Sequence, residues 1–174
     1  MVVIAMPQNV DIFEESILFQ VDFELNIDKW DTMDEGIKAV VSSGWKYIKY
    51  LNEDGTAVND SICELPNDCG GIYIFMLKPD IIQKNHRYIM YIGRAHRATN
   101  YSLRKRCATY INDTRPKVAR MISRWGRGLY LYYLPINGTD DFIDKVEREL
   151  LRVIIPPMNS QIPDHYTLPE QNLF

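Results

Sequence analysis

The sequence predicts an α+β fold, in which a small three-stranded antiparallel sheet is flanked by helices and follows a separate N-terminal α+β extension. Three short apolar runs have the length of strands and border a glycine, and three other segments carry apolar residues at helical spacing. The organisation and the charge of the chain both change at Gly70. We therefore divide the 174 residues into an extension (1–69), a domain (70–160) and a C-terminal tail (161–174).

The extension contains two predicted strands and one predicted helix. Residues 17–25 alternate between apolar and polar side chains, which is typical of a half-buried strand. Thr32 and Glu35 have the spacing of a capping box, so we expect a helix to begin there and to end before Gly44. Residues 45–51 form the second predicted strand.

The domain is predicted to have the element order β-β-α-α-β-α. Its predicted strands are GIYIFML, RYIMYIG and LYLYYLPI, and its predicted helices are LRKRCATYIN, TRPKVARMISRW and DDFIDKVERELLRVII. Pro116 suits the first turn of the second helix, where no intrahelical N–H is needed, and Pro156 ends the third helix. The two segments that follow the first two strands are predicted loops.

The charge of the chain is unevenly distributed. Residues 1–70 carry 14 acidic side chains and four lysines, a net charge of −10. Residues 94–127 carry ten Lys or Arg and one Asp, a net charge of +9. The second segment therefore suits a polyanion, whereas the first would repel one and suits a protein partner.

The helix predicted over residues 116–127 has a face of one charge. A solvated helix face usually mixes signs, so a face without acidic residues indicates contact with a nucleic-acid backbone. The preceding loop and helix add further cations. The predicted nucleic-acid-binding residues are Arg94, His96, Arg97, Arg104, Lys117, Arg120, Arg124 and Arg127.

The last predicted helix places a carboxylate on its apolar face. Glu147 lies four residues after Ile143 and three before Leu150. A buried carboxylate is costly unless a partner compensates its charge. Two interpretations remain open, a structural salt bridge and a metal-binding or catalytic role.

The first helix of the domain carries Arg106 and Tyr110 four residues apart, beside its core face. An arginine fork and a hydroxyl together suit a phosphate group. The alternative is an ordinary amphipathic surface helix. Tyr73 and Tyr91 lie in the two first strands, each in a triplet with glycine, and glycine weakens a strand unless something approaches its backbone closely.

Together these residues resemble the GIY-YIG nuclease superfamily over residues 70–160. The triplets Gly71-Ile72-Tyr73 and Tyr91-Ile92-Gly93 are present, and SLRKRCATYIN and ERELLRVIIPPMN are similar to the downstream segments of the family. The resemblance implies the GIY-YIG fold. The loop between the second strand and the helix is longer than usual, which leaves Tyr101 or Arg104 as alternatives for the helix role.

The resemblance implies metal-assisted hydrolysis of a phosphodiester. The implied catalytic residues are Tyr73 as the group that takes a proton from water, Arg106 on the phosphate, Tyr91 and Tyr110 as orienting hydroxyls, Glu147 as ligand of one Mg²⁺ (which Mn²⁺ can replace), and Asn159 as a brace. A free phenol has a pKa near 10, so Tyr73 needs a cation that lowers its pKa. Arg94, Arg106, Lys78 or Lys84 could supply it. His96 is either a proton partner or a loop histidine.

We expect a compact restriction-type endonuclease that cuts double-stranded DNA, acting as a homodimer. The alternative is a nuclease subunit of a phage-defence or repair complex, held by a protein partner through residues 1–69. A third interpretation is an inactive binding module.

Neither a signal peptide nor a membrane-length apolar run is expected, so a cytoplasmic location is predicted. Cys63, Cys69 and Cys107 are expected to be free thiols, because their number is odd and their spacing suits neither disulfides nor zinc.

Overall fold

A computed structural model of the chain describes residues 21–82, 85–97 and 101–163. The elements in chain order are β1 (Glu24–Leu25), α1 (Ile27–Asp31), α2 (Glu35–Val41), β2 (Lys46–Lys49), a 3-10 turn (Asp60–Glu64), β3 (Gly70–Leu77), β4 (Tyr88–Ala95), α3 (Leu103–Ala108), a 3-10 turn (Thr109–Asn112), α4 (Pro116–Trp125), a 3-10 turn (Gly126–Gly128), β5 (Leu129–Ile136), α5 (Asp140–Val153) and β6 (Ile154–Ile155). The mixed α+β class and the element order of the predicted domain are confirmed.

The central sheet has four strands rather than the predicted three. Its order is β2-β5-β3-β4, and every neighbouring pair is antiparallel. The fourth strand, β2, comes from the segment that the sequence analysis placed in the extension, and it pairs Lys46 with Tyr133 and Lys49 with Tyr130. Pairing with β2 satisfies backbone groups of β5 that would otherwise form an open edge. Local sequence pattern cannot show which distant strand covers an edge.

Helices cover both faces of this sheet, because side chains along β3 alternate between two cores. Tyr73 and Phe75 pack on one side with residues of α3 and α4. Ile72 and Ile74 pack on the other side with α5 and α2. Strand β3 therefore contributes side chains to both cores.

The N-terminal part differs from its prediction in several details. Asp34, rather than Thr32, caps α2, since its Oδ1 accepts hydrogen bonds from the Gly36 and Ile37 amides at 2.8 and 3.2 Å. The helix α1 was not predicted. Of the strand predicted over 17–25, residues 17–20 lie outside the described residues, and only Glu24–Leu25 is a strand, with Leu25 exposed rather than half-buried.

The two helices that flank the predicted site end earlier than expected. The last helix stops at Val153, because Ile154 and Ile155 pair with β1 as strand β6. The helix predicted over 103–112 is α-helical only to Ala108 and continues as a 3-10 turn. Tertiary pairing and a tighter final turn overrode the helical spacing in these places.

Within the described ranges, no helix has the length and apolarity that crossing a membrane requires. Cys63, Cys69 and Cys107 are free thiols, as predicted.

Candidate active site

A cleft of about 440 Å³ opens where β3 begins and β4 ends. The predicted site residues that line it are Tyr73, Tyr91, Arg94, His96, Arg106, Glu147 and Asn159. These residues come from β3, β4, α3, α5 and the segment after β6. Residues that are up to 86 positions apart in the chain are thus brought to one place.

Three tyrosines form a hydrogen-bonded chain at the base of the cleft. The Tyr73 and Tyr110 hydroxyl oxygens are 2.6 Å apart, and the Tyr110 hydroxyl donates to the Tyr91 oxygen at 3.2 Å. A phenol has one proton, so Tyr73 is the donor to Tyr110 in this arrangement. All three side chains are buried. We expected Tyr110 at the rim of the core, whereas the 3-10 turn that carries it rotates its ring fully inward.

Glycine accommodates the Tyr73 ring. Gly93 lies directly opposite Tyr73 in the β3–β4 pair, and a Cβ atom at Gly93 would lie 2.5 Å from the Tyr73 Oη. Gly71 has a φ of +152°, and a Cβ there would lie 2.1 Å from the Leu134 carbonyl oxygen. The glycines of both triplets are therefore required by close approach, as the sequence suggested.

Two arginines border the tyrosine chain. The Arg106 Nη2 lies 3.4 Å from the Tyr110 Oη, and its guanidinium carbon is 5.0 Å from the centre of the Tyr110 ring. The Arg115 Nη1 donates to the Tyr91 Oη at 3.3 Å, while its Nη2 pairs with Asp113 at 2.7 Å. Guanidinium groups stay charged at every physiological pH, so the phenols face permanent positive charge.

Sequence reasoning missed Arg115. It precedes Pro116, at the start of α4, and was counted among the cations without being assigned a role. Its closeness to Tyr91 arises from the packing of α4 against the sheet, which no spacing along the chain reveals. One signal in the sequence could have identified Arg115, namely the aspartate two residues before it. Asp113 pairs with Arg115 and holds its side chain in place, and Arg115 in turn lowers the pKa of Asp113.

The expected lowering of the Tyr73 pKa is wrong in direction. Burial raises the pKa of Tyr73 well above its ordinary value, and the opposing influence of Arg106 is smaller. Burial also raises the pKa of Tyr110. Of the other cations considered, Lys78 lies at the far end of the sheet and Lys84 lies outside the described residues. Tyr73 is therefore a neutral phenol in the free protein.

Glu147 belongs to an ion-pair network that is centred on Arg94 at the mouth of the cleft. Its carboxylate is only 12% exposed and pairs with the Arg94 Nη1. The Arg94 Nε lies 2.6 Å from the Asp144 Oδ1, which is also 2.5 Å from the His96 Nε2. The salt bridge that the sequence analysis left open is thus formed, and Arg94 bridges two carboxylates one turn apart on α5.

Asn159 holds the backbone of β4 in the manner of a neighbouring strand. Its Oδ1 accepts from the Ile92 amide at 3.0 Å, and its Nδ2 donates to the Ile92 carbonyl at 2.8 Å. Ile92 lies between Tyr91 and Gly93, so Asn159 fixes the segment that carries both. The bracing role of Asn159 in catalysis stays a prediction.

The remaining predicted nucleic-acid-binding residues lie in three places. Arg97 is exposed at the end of β4. Arg104 points away from the cleft, where its guanidinium donates to the Leu65 and Cys63 carbonyls at 2.7 and 2.6 Å. Of the alternatives for the helix role, Arg106 is therefore the arginine in the cleft, and Tyr101 lines the cleft as an exposed side chain. Arg120, Arg124 and Arg127 are exposed along and after α4, and Lys117 is half-buried.

The donor set of the cleft suits a magnesium ion that keeps most of its water. The part of the chain that the structure describes contains no group of three or more His, Cys, Asp or Glu arranged to hold a metal. Mg²⁺ commonly binds through one or two carboxylates, with waters and phosphate oxygens completing its shell. Glu147, with Asp144 one turn away, fits that requirement, provided that Arg94 releases its carboxylate.

Comparison of the chain with models of protein families, with curated proteins and with solved structures gave no match. The assignment of a function therefore rests on the residues of the cleft.

Proposed function

We propose that this protein is a metal-dependent endonuclease that hydrolyses phosphodiester bonds in DNA. The observation that carries the proposal is the convergence, at one cleft, of the Glu147 carboxylate, three arginines and a chain of three phenols. Carboxylate, guanidinium and proton-transferring hydroxyl are groups that can support phosphodiester hydrolysis. A structural salt bridge alone would account for Glu147 but not for the tyrosines beside it.

The tyrosine chain supplies a route for the proton of the attacking water. Because burial keeps Tyr73 neutral, its oxygen accepts a proton from water while its own proton passes to Tyr110. Tyr110 passes its proton to Tyr91, and Tyr91 gives one to the oxygen that leaves the phosphodiester in the cleft. The relay leaves every phenol neutral, so it requires no phenolate at neutral pH.

The arginines bind the reacting phosphate. Arg106 and Arg115 both contact the phenol chain and line the same cleft. Guanidinium forks match phosphate oxygens, and fixed positive charge stabilises the additional negative charge of the transition state. Arg94 adds a third guanidinium once it leaves Glu147.

Glu147 is the residue that would hold Mg²⁺ or Mn²⁺, and the bound ion would supply Lewis-acid polarisation of the phosphate. In the free protein the Glu147 carboxylate is paired with Arg94. If Glu147 held such an ion, Arg94 would be free to bind a phosphate oxygen. Asn159 keeps β4, and with it Tyr91, in register throughout.

The restriction-type enzyme that acts as a homodimer is our first candidate, because the compact chain carries both the cleft and the basic face of α4. The second candidate is a nuclease subunit held by a protein partner. It is favoured by four exposed apolar side chains that lie close together in the acidic N-terminal sequence, namely Phe23, Leu25, Ile27 and Trp30. Several exposed apolar side chains in one segment are typical of a surface that binds another protein.

Cleavage of supercoiled plasmid in Mg²⁺ tests the proposal and separates the candidates. Wild-type protein is compared with Glu147→Ala and Tyr73→Phe, and with the exposed control Asp141→Asn on the same helix as Glu147. We expect cleavage by the wild type and the control only. Discrete fragments indicate the restriction-type enzyme, and nicking without sequence preference indicates the partner-held subunit. Cleavage by all four proteins alike would refute the assignment of the cleft.

A further inference from the structure

A second cleft lies at the opposite end of the central sheet from the candidate active site. It has a volume of about 710 Å³ and is bordered by Leu77 and Gly128. Strand β3 runs from the first cleft to the second, since Gly71 is paired with Ala95 at one end and Leu77 with Leu129 at the other. The two clefts are therefore separate sites on one rigid element.

Positive charge predominates in the second cleft. Its charged lining consists of the cations Lys49, Lys78, Arg124 and Arg127 and the acids Asp54 and Asp80. Hydrogen bonds from Thr56 chiefly lower the pKa of Asp54, and the charge of Arg127, whose side chain lies beside Gly55, adds a smaller lowering effect. The excess of cations suits an anionic ligand.

Aromatic rings extend this basic lining onto the sheet. The Lys78 Nζ lies 4.1 Å from the centre of the Tyr130 ring and 4.7 Å from that of Tyr47. Tyr47 is paired with Tyr132 in the sheet, stacks on it at 5.0 Å and is 56% exposed. Lys49 is paired with Tyr130, so the lysine and the tyrosines share one sheet face. Aromatic rings beside cations can stack on unpaired bases whose phosphates the cations bind.

Helix α4 connects the two clefts. Arg115, immediately before its first residue, lines the candidate active site, and Arg124 and Trp125, at its end, line the second cleft. Ten helical residues span ~15 Å. That distance corresponds to about four nucleotides at the 3.4 Å spacing of one strand of B-DNA. The exposed Arg120 lies between the two ends.

We propose that the second cleft binds single-stranded DNA that continues from the strand held in the active site. Lys49, Lys78 and Arg124 contact its phosphates, and Tyr47 and Tyr130 stack on unpaired bases. A duplex would present its phosphates to the same cations but would keep its bases away from the rings. This inference rests on the proposed nuclease function and adds a preference for substrates with an unpaired segment near the cut.

Fluorescence anisotropy in EDTA tests the second cleft without cleavage. Labelled dT12 and a 12-base-pair duplex are titrated with the full chain, with Tyr47→Ala and with Lys78→Ala. Matched controls are Tyr88→Ala and Lys46→Ala, which lie neither in this cleft nor in the group of rings formed by Tyr47, Tyr130 and Tyr132 beside it. We expect Tyr47→Ala and Lys78→Ala to lose about tenfold in affinity for dT12. The controls should bind dT12 like the wild type, and Tyr47→Ala should bind the duplex unchanged. Tyr47 is largely exposed, so its variant should fold.

Two results would overturn the inference. One is that the wild type does not bind dT12, or that Tyr47→Ala and Lys78→Ala bind it as tightly as the wild type does. The other is that Tyr47→Ala loses affinity for dT12 and for the duplex by the same factor. The plasmid assay reports on the first cleft separately. A protein that fails to cleave plasmid but shows the expected dT12 pattern would lose the nuclease assignment and keep the binding site. A protein that cleaves plasmid but binds dT12 equally in all variants would keep the nuclease assignment and lose the proposed binding site.

Discussion

Replacing Gly93 with alanine should damage the candidate active site through a single methyl group. Gly93 does not have a positive φ, so its backbone conformation is one that alanine can adopt. The new Cβ would lie 2.5 Å from the Tyr73 Oη and 2.6 Å from its Cζ, whereas packed atoms rarely approach closer than about 3.5 Å. The Tyr73 ring must therefore move by ~1 Å.

The cost can be estimated from the contacts that this movement breaks. The 2.6 Å hydrogen bond between Tyr73 and Tyr110 would lengthen beyond hydrogen-bond range. Overpacking of a core costs about 1–3 kcal/mol and loss of a buried hydrogen bond about 1 kcal/mol. We expect the free energy of unfolding to fall by ~2–4 kcal/mol. A misplacement of 1 Å in a catalytic group lowers the rate by ~100-fold.

Urea unfolding followed by tryptophan fluorescence measures the stability, and single-turnover cleavage of labelled DNA measures the rate. The control is Gly138→Ala, at an exposed position where the new Cβ meets the flexible Phe142 side chain at 3.1 Å. The control should lose less than about 1 kcal/mol and keep its rate. If Gly93→Ala matches the wild type in both measurements, the packing of Tyr73 against Gly93 is refuted.

Three further predictions follow from the contacts of single side chains. Arg104→Ala should lower the melting temperature, because two backbone carbonyls lose their donor. It should leave DNA affinity within about twofold of the wild type in anisotropy titrations. A loss of DNA affinity without a loss of stability would restore the predicted DNA-binding role. Arg94→Ala should tighten the binding of Mg²⁺ to the free protein severalfold by calorimetry, since it removes the cation that competes for Glu147, and unchanged or weaker binding would contradict this competition. The free energy of unfolding should decrease as the pH rises above about 10. The pKa of Tyr73 is raised in the folded state, so Tyr73 loses its phenol proton at lower pH in the unfolded chain than in the folded protein. Urea midpoints should therefore fall less steeply with pH for Tyr73→Phe than for the wild type.

The sequence predicted those features that depend on local pattern. Strand β5 was predicted with its observed bounds, and Pro116 does begin α4. Glu147, Tyr73 and Tyr91 were selected because each conflicts with local expectation, a carboxylate on an apolar face and tyrosines beside strand glycines. Such conflicts are informative, because the structure must compensate them.

Features that depend on distant pairing could not be read from the sequence. The place of β2 in the central sheet is decided by the free edge of β5, and the end of α5 is decided by pairing of β6 with β1. Arg104 and Arg106 are two residues apart and equally basic. Only the carbonyls of Leu65 and Cys63 turn the first away from the cleft.

The pKa of Tyr73 shows a related limit. The sequence shows how many cations are near in the chain, but it does not show how completely the phenol is buried. Burial outweighs the charge of Arg106, and the direction of the pKa change is reversed. The proton relay through Tyr110 follows from that burial rather than from charge.

Single-turnover cleavage of a labelled duplex in ¹⁸O-enriched water tests the central claim most directly. Wild-type protein in Mg²⁺ should cleave the duplex and place one ¹⁸O atom on the phosphate of the product, whereas Glu147→Gln and Tyr73→Phe should lose at least ~100-fold in rate. Cleavage that continues at the wild-type rate in both variants would show that the chemistry lies outside this cleft. A wild-type protein without cleavage under any of these conditions would contradict the nuclease function itself.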